Sequence, residues 1–269
     1  MSKGVETLKF YLSYIKNIIH QNLAYRLNTI FKLVGNIIVL LIQYYLWQAL
    51  LQENPGSSIY TFDEMVIFIS VSMIMSVLLN NKIHAHLNEK IHQGSISMDL
   101  LKPLNLKIFY FFHSMSETLV NSIMSSVPLV IFAVIVFDVH VPSFFAFLIF
   151  IVFALCSILL NYFILFFLGI ASFWMQQSWV LGRFYSSLIL IFSGSKIPLS
   201  MYPPFLRSLS DILPFKWIYF IPISAFLGNI ELTSVYRYLL MYALWIGVFT
   251  GLSNFLWKKG IKNIVINGG

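Results

Sequence analysis

Apolar runs fill this chain, each long enough to cross a hydrocarbon core, and only one long polar passage, Asn80 to Lys107, interrupts its first two-thirds. A water-soluble domain has no place for so many such runs. With 59% of its 269 residues hydrophobic and 10% charged, the sequence describes an integral membrane protein of the all-α class. The formal net charge of +7 comes from lysines and arginines at the ends of apolar runs, so it reports orientation in the bilayer rather than a nucleic-acid partner.

The polar passage, residues 80–107, sets Lys82, Lys90, Lys102 and Lys107 against only Glu89 and Asp99. Loops rich in lysine stay on the cytoplasmic side, and the passage is placed there. Ile83, Leu87 and Ile91 recur every four residues between Lys82, His86, Glu89 and Lys90, which predicts a helix with one narrow apolar stripe. Gly94 is expected to end it, because glycine takes the left-handed conformation that a helix C-terminus needs. Ser97 is expected to cap a second short helix, with Ile96, Leu100 and Leu101 as an apolar knob and Pro103 as its stop. Pattern alone leaves open whether this pair is a docking surface or a helical extension with a solvated turn.

Upstream, Val5, Leu8, Leu12, Ile15, Ile19 and Leu23 alternate in steps of three and four, while Glu6, Lys9, Lys16 and His20 fill the other face. This predicts an amphipathic helix within residues 1–27, lying in the cytoplasmic membrane interface. The stretch lacks the short apolar core and cleavage site of a secretory signal. Six transmembrane helices are expected, at about 28–51, 62–79, 116–137, 143–173, 180–197 and 236–257. The turn between the first two is acidic and carries no lysine or arginine. A second long break, 198–234, separates the last two and contains Pro198, Pro203, Pro204, Pro214 and Pro222 among many apolar residues. It is too apolar for an aqueous loop and too rich in proline for a span, so a pair of short helices dipping into the outer leaflet and returning is expected. The sixth span ends on Lys258, Lys259 and Lys262, which puts both termini on the cytoplasmic side. Lys196, Arg207, Lys216 and Arg237 are the cations assigned to the outer side or near it.

Several chemistries are excluded. The phosphate-binding GxxxxGK[ST] loop is missing, since Gly194-Ser195-Lys196 lacks the earlier glycine at the required spacing. His84 and His86 lie two apart on a helix, and with His92 they have no cysteine or carboxylate to complete a metal site, so none is expected. The span centres are almost empty of ionisable groups, with Glu117 and Arg183 near span ends, and neither a proton relay nor a proteolytic pair can be assembled. The single Cys156 permits no intrachain disulfide. Polar uncharged residues such as Asn121, Ser125, Ser157 and Asn161 either line a path or bond between helices, the second role being commoner.

Three ordered pieces carry a more specific signal. These are Gly94-Ser95-Ile96-Ser97 leading to Leu100-Leu101-Lys102-Pro103-Leu104, the run Ser193 to Leu199 followed by Pro203 and Pro204, and Leu213-Pro214-Phe215 followed by Pro222 and Gly228. With the closing Trp257-Lys258-Lys259-Gly260 and the terminal Gly268-Gly269, they resemble the membrane subunits of the type 2 family of ATP-binding-cassette (ABC) exporters, permeases made separately from their ATPase. The resemblance runs over nearly the whole length. It implies that Ile83, Leu87, Ile91, Gly94, Ile96, Leu100, Leu101, Lys102 and Pro103 form coupling helices seated in a groove of the ATPase subunit. It also implies that Gly194, Pro198, Pro203, Pro204, Leu213, Pro214, Phe215, Pro222 and Gly228 belong to a re-entrant outer gate. A second permease subunit, identical or related, would complete the path in the plasma membrane. ATP and magnesium would sit on the ATPase, leaving no cofactor, metal or catalytic residue in this chain, and the exported substrate would be a drug, peptide or lipid-like molecule.

Two other readings make different predictions. A secondary transporter or channel would follow an ion gradient and persist without ATP, and the scarcity of charge within the spans weighs against it. A membrane enzyme acting on lipids would need convergent acid, base or nucleophile groups that the sequence does not offer.

Overall fold

The computed structural model describes residues 26–53, 59–101, 105–140, 142–175 and 179–263. The interfacial helix expected in residues 1–27 therefore falls almost wholly outside the described residues, as do Lys102, Pro103 and the terminal glycines. Within them the chain forms α1 (Arg26–Glu53), α2 (Phe62–Leu78), α3 (Ile83–His92), α4 (Ile96–Leu100), α5 (Leu106–Phe137), α6 (Phe144–Ile170), α7 (Trp179–Phe192), α8 (Pro204–Ile212), α9 (Phe220–Phe226) and α10 (Val235–Gly260), joined in places by single 3-10 turns.

The long helices begin where the sequence supplies caps. Thr61 and Glu64 form a reciprocal capping box at the start of α2, with Thr61 N–H donating to Glu64 Oε2 at 2.8 Å and Glu64 N–H donating to Thr61 Oγ1 at 3.2 Å. Asn105 caps α5 by accepting from the amides of Lys107 and Ile108, and Ser143 caps α6 by accepting from Ala146. Each cap satisfies amides that would otherwise be stranded at a helix end.

Five apolar helical stretches among the described residues are long enough to cross a membrane: Thr29–Leu51, Phe62–His92, Leu106–Phe137, Phe144–Phe173 and Leu232–Gly260. A sixth, Val180–Phe192, is shorter. Two boundaries differ from expectation. Helix α5 starts at Leu106, well before the expected third span, because Leu106 and Tyr110 are buried against the α3–α4 segment and the ends of the other helices. Helix α7 stops at Phe192, and its 14 residues rise only about 21 Å, short of the roughly 30 Å of a hydrocarbon core. The cause is Gly194, held at φ +72° between Leu199 and Phe220, where the backbone leaves the helix in a conformation that favours glycine.

Helix α6 is the pillar of the molecule. It packs along α10 on one side, takes α9 against its first half and α3 against its last turns. Phe153, Leu160 and Ile170 along it are fully enclosed. Two polar knots hold the helices to it. In the first, the Tyr242 hydroxyl of α10 donates to the Trp217 carbonyl, and Ser157 Oγ lies 3.1 Å from the Tyr242 oxygen and 2.9 Å from that same carbonyl. In the second, Asn161 Nδ2 donates to the Leu79 carbonyl at 2.8 Å while its Oδ1 accepts from the Tyr185 hydroxyl at 2.5 Å, joining α6 to the end of α2 and to α7. Such bonds tie helices together where no water competes for them.

Between α7 and α10 the chain turns back on itself. Ser195 meets the middle of α2 through the Ser72 hydroxyl, and Ser200 Oγ donates to the Tyr60 hydroxyl just ahead of α2 at 3.1 Å. After α8, the amide of Phe220 returns to the Ser193 carbonyl at 3.1 Å, and α9 runs buried against α6 and α2.

Candidate functional site

The α3–α4 elbow is braced from three directions. Asn81 holds its corner: Nδ2 donates to Ser114 Oγ of α5, and Oδ1 accepts from the Ile83 amide at 2.9 Å. Gly169 of α6 lets α3 lie close, since a Cβ there would stand 2.8 Å from Leu87 Cδ1 and 3.0 Å from His84 Cα. Gly94, at φ +69°, then turns the chain into α4. The serine at the N-cap position is Ser95, and Ser97, expected as the cap, lies within the first turn and donates to the Gly94 carbonyl at 2.6 Å. The turn at Gly94 is tight enough to start α4 earlier than the sequence pattern indicates.

The third brace is Asp99. Its buried carboxylate takes the Lys90 ammonium of α3 at 3.0 Å and accepts from the Tyr110 hydroxyl of α5 at 3.0 Å, so one side chain joins three helices. Hydrogen bonds to a charged group contribute about 1.5–3 kcal/mol each, and partial exposure of Lys90 reduces its share. Asp99→Ala is expected to cost about 2 kcal/mol and to speed protease cleavage within residues 90–105, measured by thermal unfolding and limited proteolysis in detergent.

This bracing divides the expected coupling residues into two groups. Ile83, Leu87 and Ile96 are buried within the chain, and Ile91 packs half-buried against the same core. They seat the elbow on its own protein. What the elbow presents is the tip of α4: Met98 is 67% exposed, Leu101 81% and Leu100 36%. Lys102 and Pro103 lie outside the described residues.

The elbow histidines point apart. His84 faces Gly182 of α7, with its Nε2 2.7 Å from where a Cβ would stand, and the His86 ring lies 4.9 Å from that of His113. Burial holds both His84 and His86 below the ordinary histidine value, helped at His86 by His113 and Lys90, so both are neutral at neutral pH. Among the described residues no group of three or more candidate metal ligands forms.

Beside the elbow a cleft of about 950 Å³ runs between α2, α7 and α6. Its walls carry Ser72, Ser76 and Asn80 from α2 and its end, Asn161 from α6, and Arg183, Ser186 and Ser187 from α7. Lys82 and His84 stand at its elbow end, Ser195 and Lys196 at the other, and among the described residues no aspartate or glutamate lines it.

The expected outer-gate residues gather around the segment after α7. Gly194, Pro198, Pro214, Phe215 and Pro222 are buried, Leu213 is half-buried, and Pro203, Pro204 and Gly228 are exposed. Pro203 and Pro204 open α8, where a missing amide costs nothing. Phe205 and Ile212 of α8 remain exposed apolar residues.

Sequence reasoning missed three of these features. Asp99 carried no pattern that marked it as buried, Gly169 lay unremarked at the end of an apolar run, and Lys196, assigned to the outer side or near it, was not foreseen as lining a cleft beside the middle of α2. The serines at 193 and 195 around Gly194, inside an apolar run, are the signal that bore on the last of these.

A bundle of membrane-length apolar helices with a braced basic elbow at one end and a polar cleft beside it is a multi-pass membrane protein of the transport class. The family model described as ABC-2 family transporter protein matches residues 37–268, and the chain belongs to that family. It is thus an ABC-type membrane permease. A comparison with curated proteins finds no match.

Proposed function

We propose that the chain is the permease subunit of an ABC exporter whose ATPase is a separate polypeptide docking on the α4 tip. The observation that carries this reading is the projection of Met98, Leu100 and Leu101 from an elbow that is otherwise seated in its own protein. Exposed apolar side chains on a braced, basic segment suit insertion into a partner's groove. In this reading the elbow and both termini are cytoplasmic, the membrane is the plasma membrane, and six helices cross it, with α7 and the hairpin after it together making the fifth crossing. A second permease subunit, identical or related, covers the cleft. The direction is outward, following the exporter resemblance, and the substrate is hydrophobic or amphipathic.

ATP binding draws the ATPase subunits together and moves the elbow. Because α3 rests on α6 at Gly169 and Asp99 joins α3, α4 and α5, the elbow moves with the spans instead of swinging free. ATP shifts the inward-open to outward-open balance only by binding one state more tightly.

Purified gently from its source membrane, the chain is expected to bring an ATPase subunit with it and to show vanadate-sensitive ATP hydrolysis. Transport by the isolated chain that follows an ion gradient and survives ATP depletion would establish the secondary-transporter alternative instead.

A further inference from the structure

We infer that the cleft binds the anionic head of an amphiphile, with Lys196 as its deepest contact, an inference that takes the cleft to be the substrate path of the permease proposed above. The argument starts from depth. Helix α2 has 17 residues and Ser72 lies ten beyond Phe62, about 15 Å along the helix from that end. The Ser72 hydroxyl donates to the Ser195 carbonyl, so Lys196, the next residue, leaves from the middle of α2. The chain reaches the end of α2 only at Ser200, which bonds Tyr60. Lys196 is therefore a cation inside the hydrocarbon zone, and its exposed side chain lines the cleft.

An ammonium at that depth, even one open to a cleft, needs a partner or a function. Among the described residues Lys196 forms no ion pair. Arg183, farther toward the elbow on α7, adds a second cation to the same wall, and Lys82 a third at the elbow end. Glu117, which acts on Lys82, does not line the cleft. One sign of charge between low-dielectric walls concentrates counter-ions. The Asn80 amide lines the cleft as a donor for a phosphate or carboxylate, and the hydroxyls of Ser76, Ser186 and Ser187, which donate to carbonyls of their own helices, reach such an anion by turning away from those carbonyls. Leu79, Leu165, Ile189 and Leu190 line the same space and suit an acyl chain. A cationic amphiphile would meet repulsion at every level of this wall.

The test uses the full chain with its co-purifying partners in nanodiscs of phosphatidylcholine, titrated with decyl phosphate, decyltrimethylammonium and inorganic phosphate. Decyl phosphate is expected to bind at least tenfold more tightly than decyltrimethylammonium, and inorganic phosphate at equal concentration should not displace it. Lys196→Gln should weaken decyl phosphate about tenfold without weakening decyltrimethylammonium, Lys196→Arg should retain binding, and Arg183→Gln should give a loss of decyl phosphate in the same direction. Equal binding of the two decyl probes, displacement by inorganic phosphate, or full decyl phosphate binding in Lys196→Gln would overturn the inference. Vanadate-sensitive ATP hydrolysis is measured on the same preparation. Lys196-dependent anion binding without any ATPase would sink the permease reading and leave the anion site standing, and ATPase activity without anion preference would do the reverse.

Discussion

Leu100→Glu combined with Leu101→Glu is expected to abolish transport and release the ATPase while the chain still inserts into the membrane. Leu101 is mostly exposed and Leu100 partly so, and neither seats the elbow, so the fold should tolerate the change. In a partner's groove each leucine would contribute about 1.5–3 kcal/mol by burial, so losing both weakens docking on the order of 100-fold or more. Two carboxylates forced into the same groove add a desolvation cost. The measurement is recovery of the ATPase with the tagged permease. Undiminished recovery would mean that the tip of α4 is not the docking point. Charged substitutions at Leu87 or Ile96 should act differently, destabilising the chain itself, since both side chains are fully enclosed.

Gly169→Leu is expected to separate ATP hydrolysis from transport. A leucine at this site has to occupy space now held by Leu87 and the backbone at His84, so α3 must lift from α6. Overpacking of this kind costs about 1–3 kcal/mol, enough to shift the elbow without unfolding a large bundle. The variant should still recover its ATPase through the intact α4 tip, and hydrolysis should continue while transport falls at least tenfold. Gly169→Ala already forces the Leu87 side chain to shift from 2.8 Å and presses on the His84 backbone at 3.0 Å, a smaller intrusion than that of leucine, and should lie between wild type and the leucine variant. Normal transport by Gly169→Leu would show that the seat of α3 on α6 carries no force.

The two variants bear on how far sequence reasoning reached. Long apolar runs led directly to α1, α2, α6 and α10, whose limits fall within a few residues of expectation, because the length of a span is set by the bilayer and written in composition. The elbow was legible as two short helices because a stripe every four residues and a following glycine are local signals. Which face of the stripe meets which partner was not legible. Ile83 and Leu87 look the same in sequence whether they meet an ATPase or the last turns of α6, and only Gly169, 82 residues beyond Leu87, decides between them. The place of Lys196 beside the middle of α2 was not legible for a related reason. Alternation of spans assigns a side to every residue, but it assumes that each span is crossed completely, and α7 stops at Phe192. The Asp99 triad joins residues whose individual patterns are those of ordinary surface polar groups.

Helix α6 has a mechanical consequence. Its 27 residues make a rod about 40 Å long, held near its foot by α3 and along its upper half by α9. A tilt of about 10° around the foot would carry the head sideways by about 7 Å, by the geometry of a rod of that length. If the elbow is driven as proposed above, it would be the short arm of a seesaw, and a stroke too small to disturb the packing at one end would become, at the other, room for a molecule to leave.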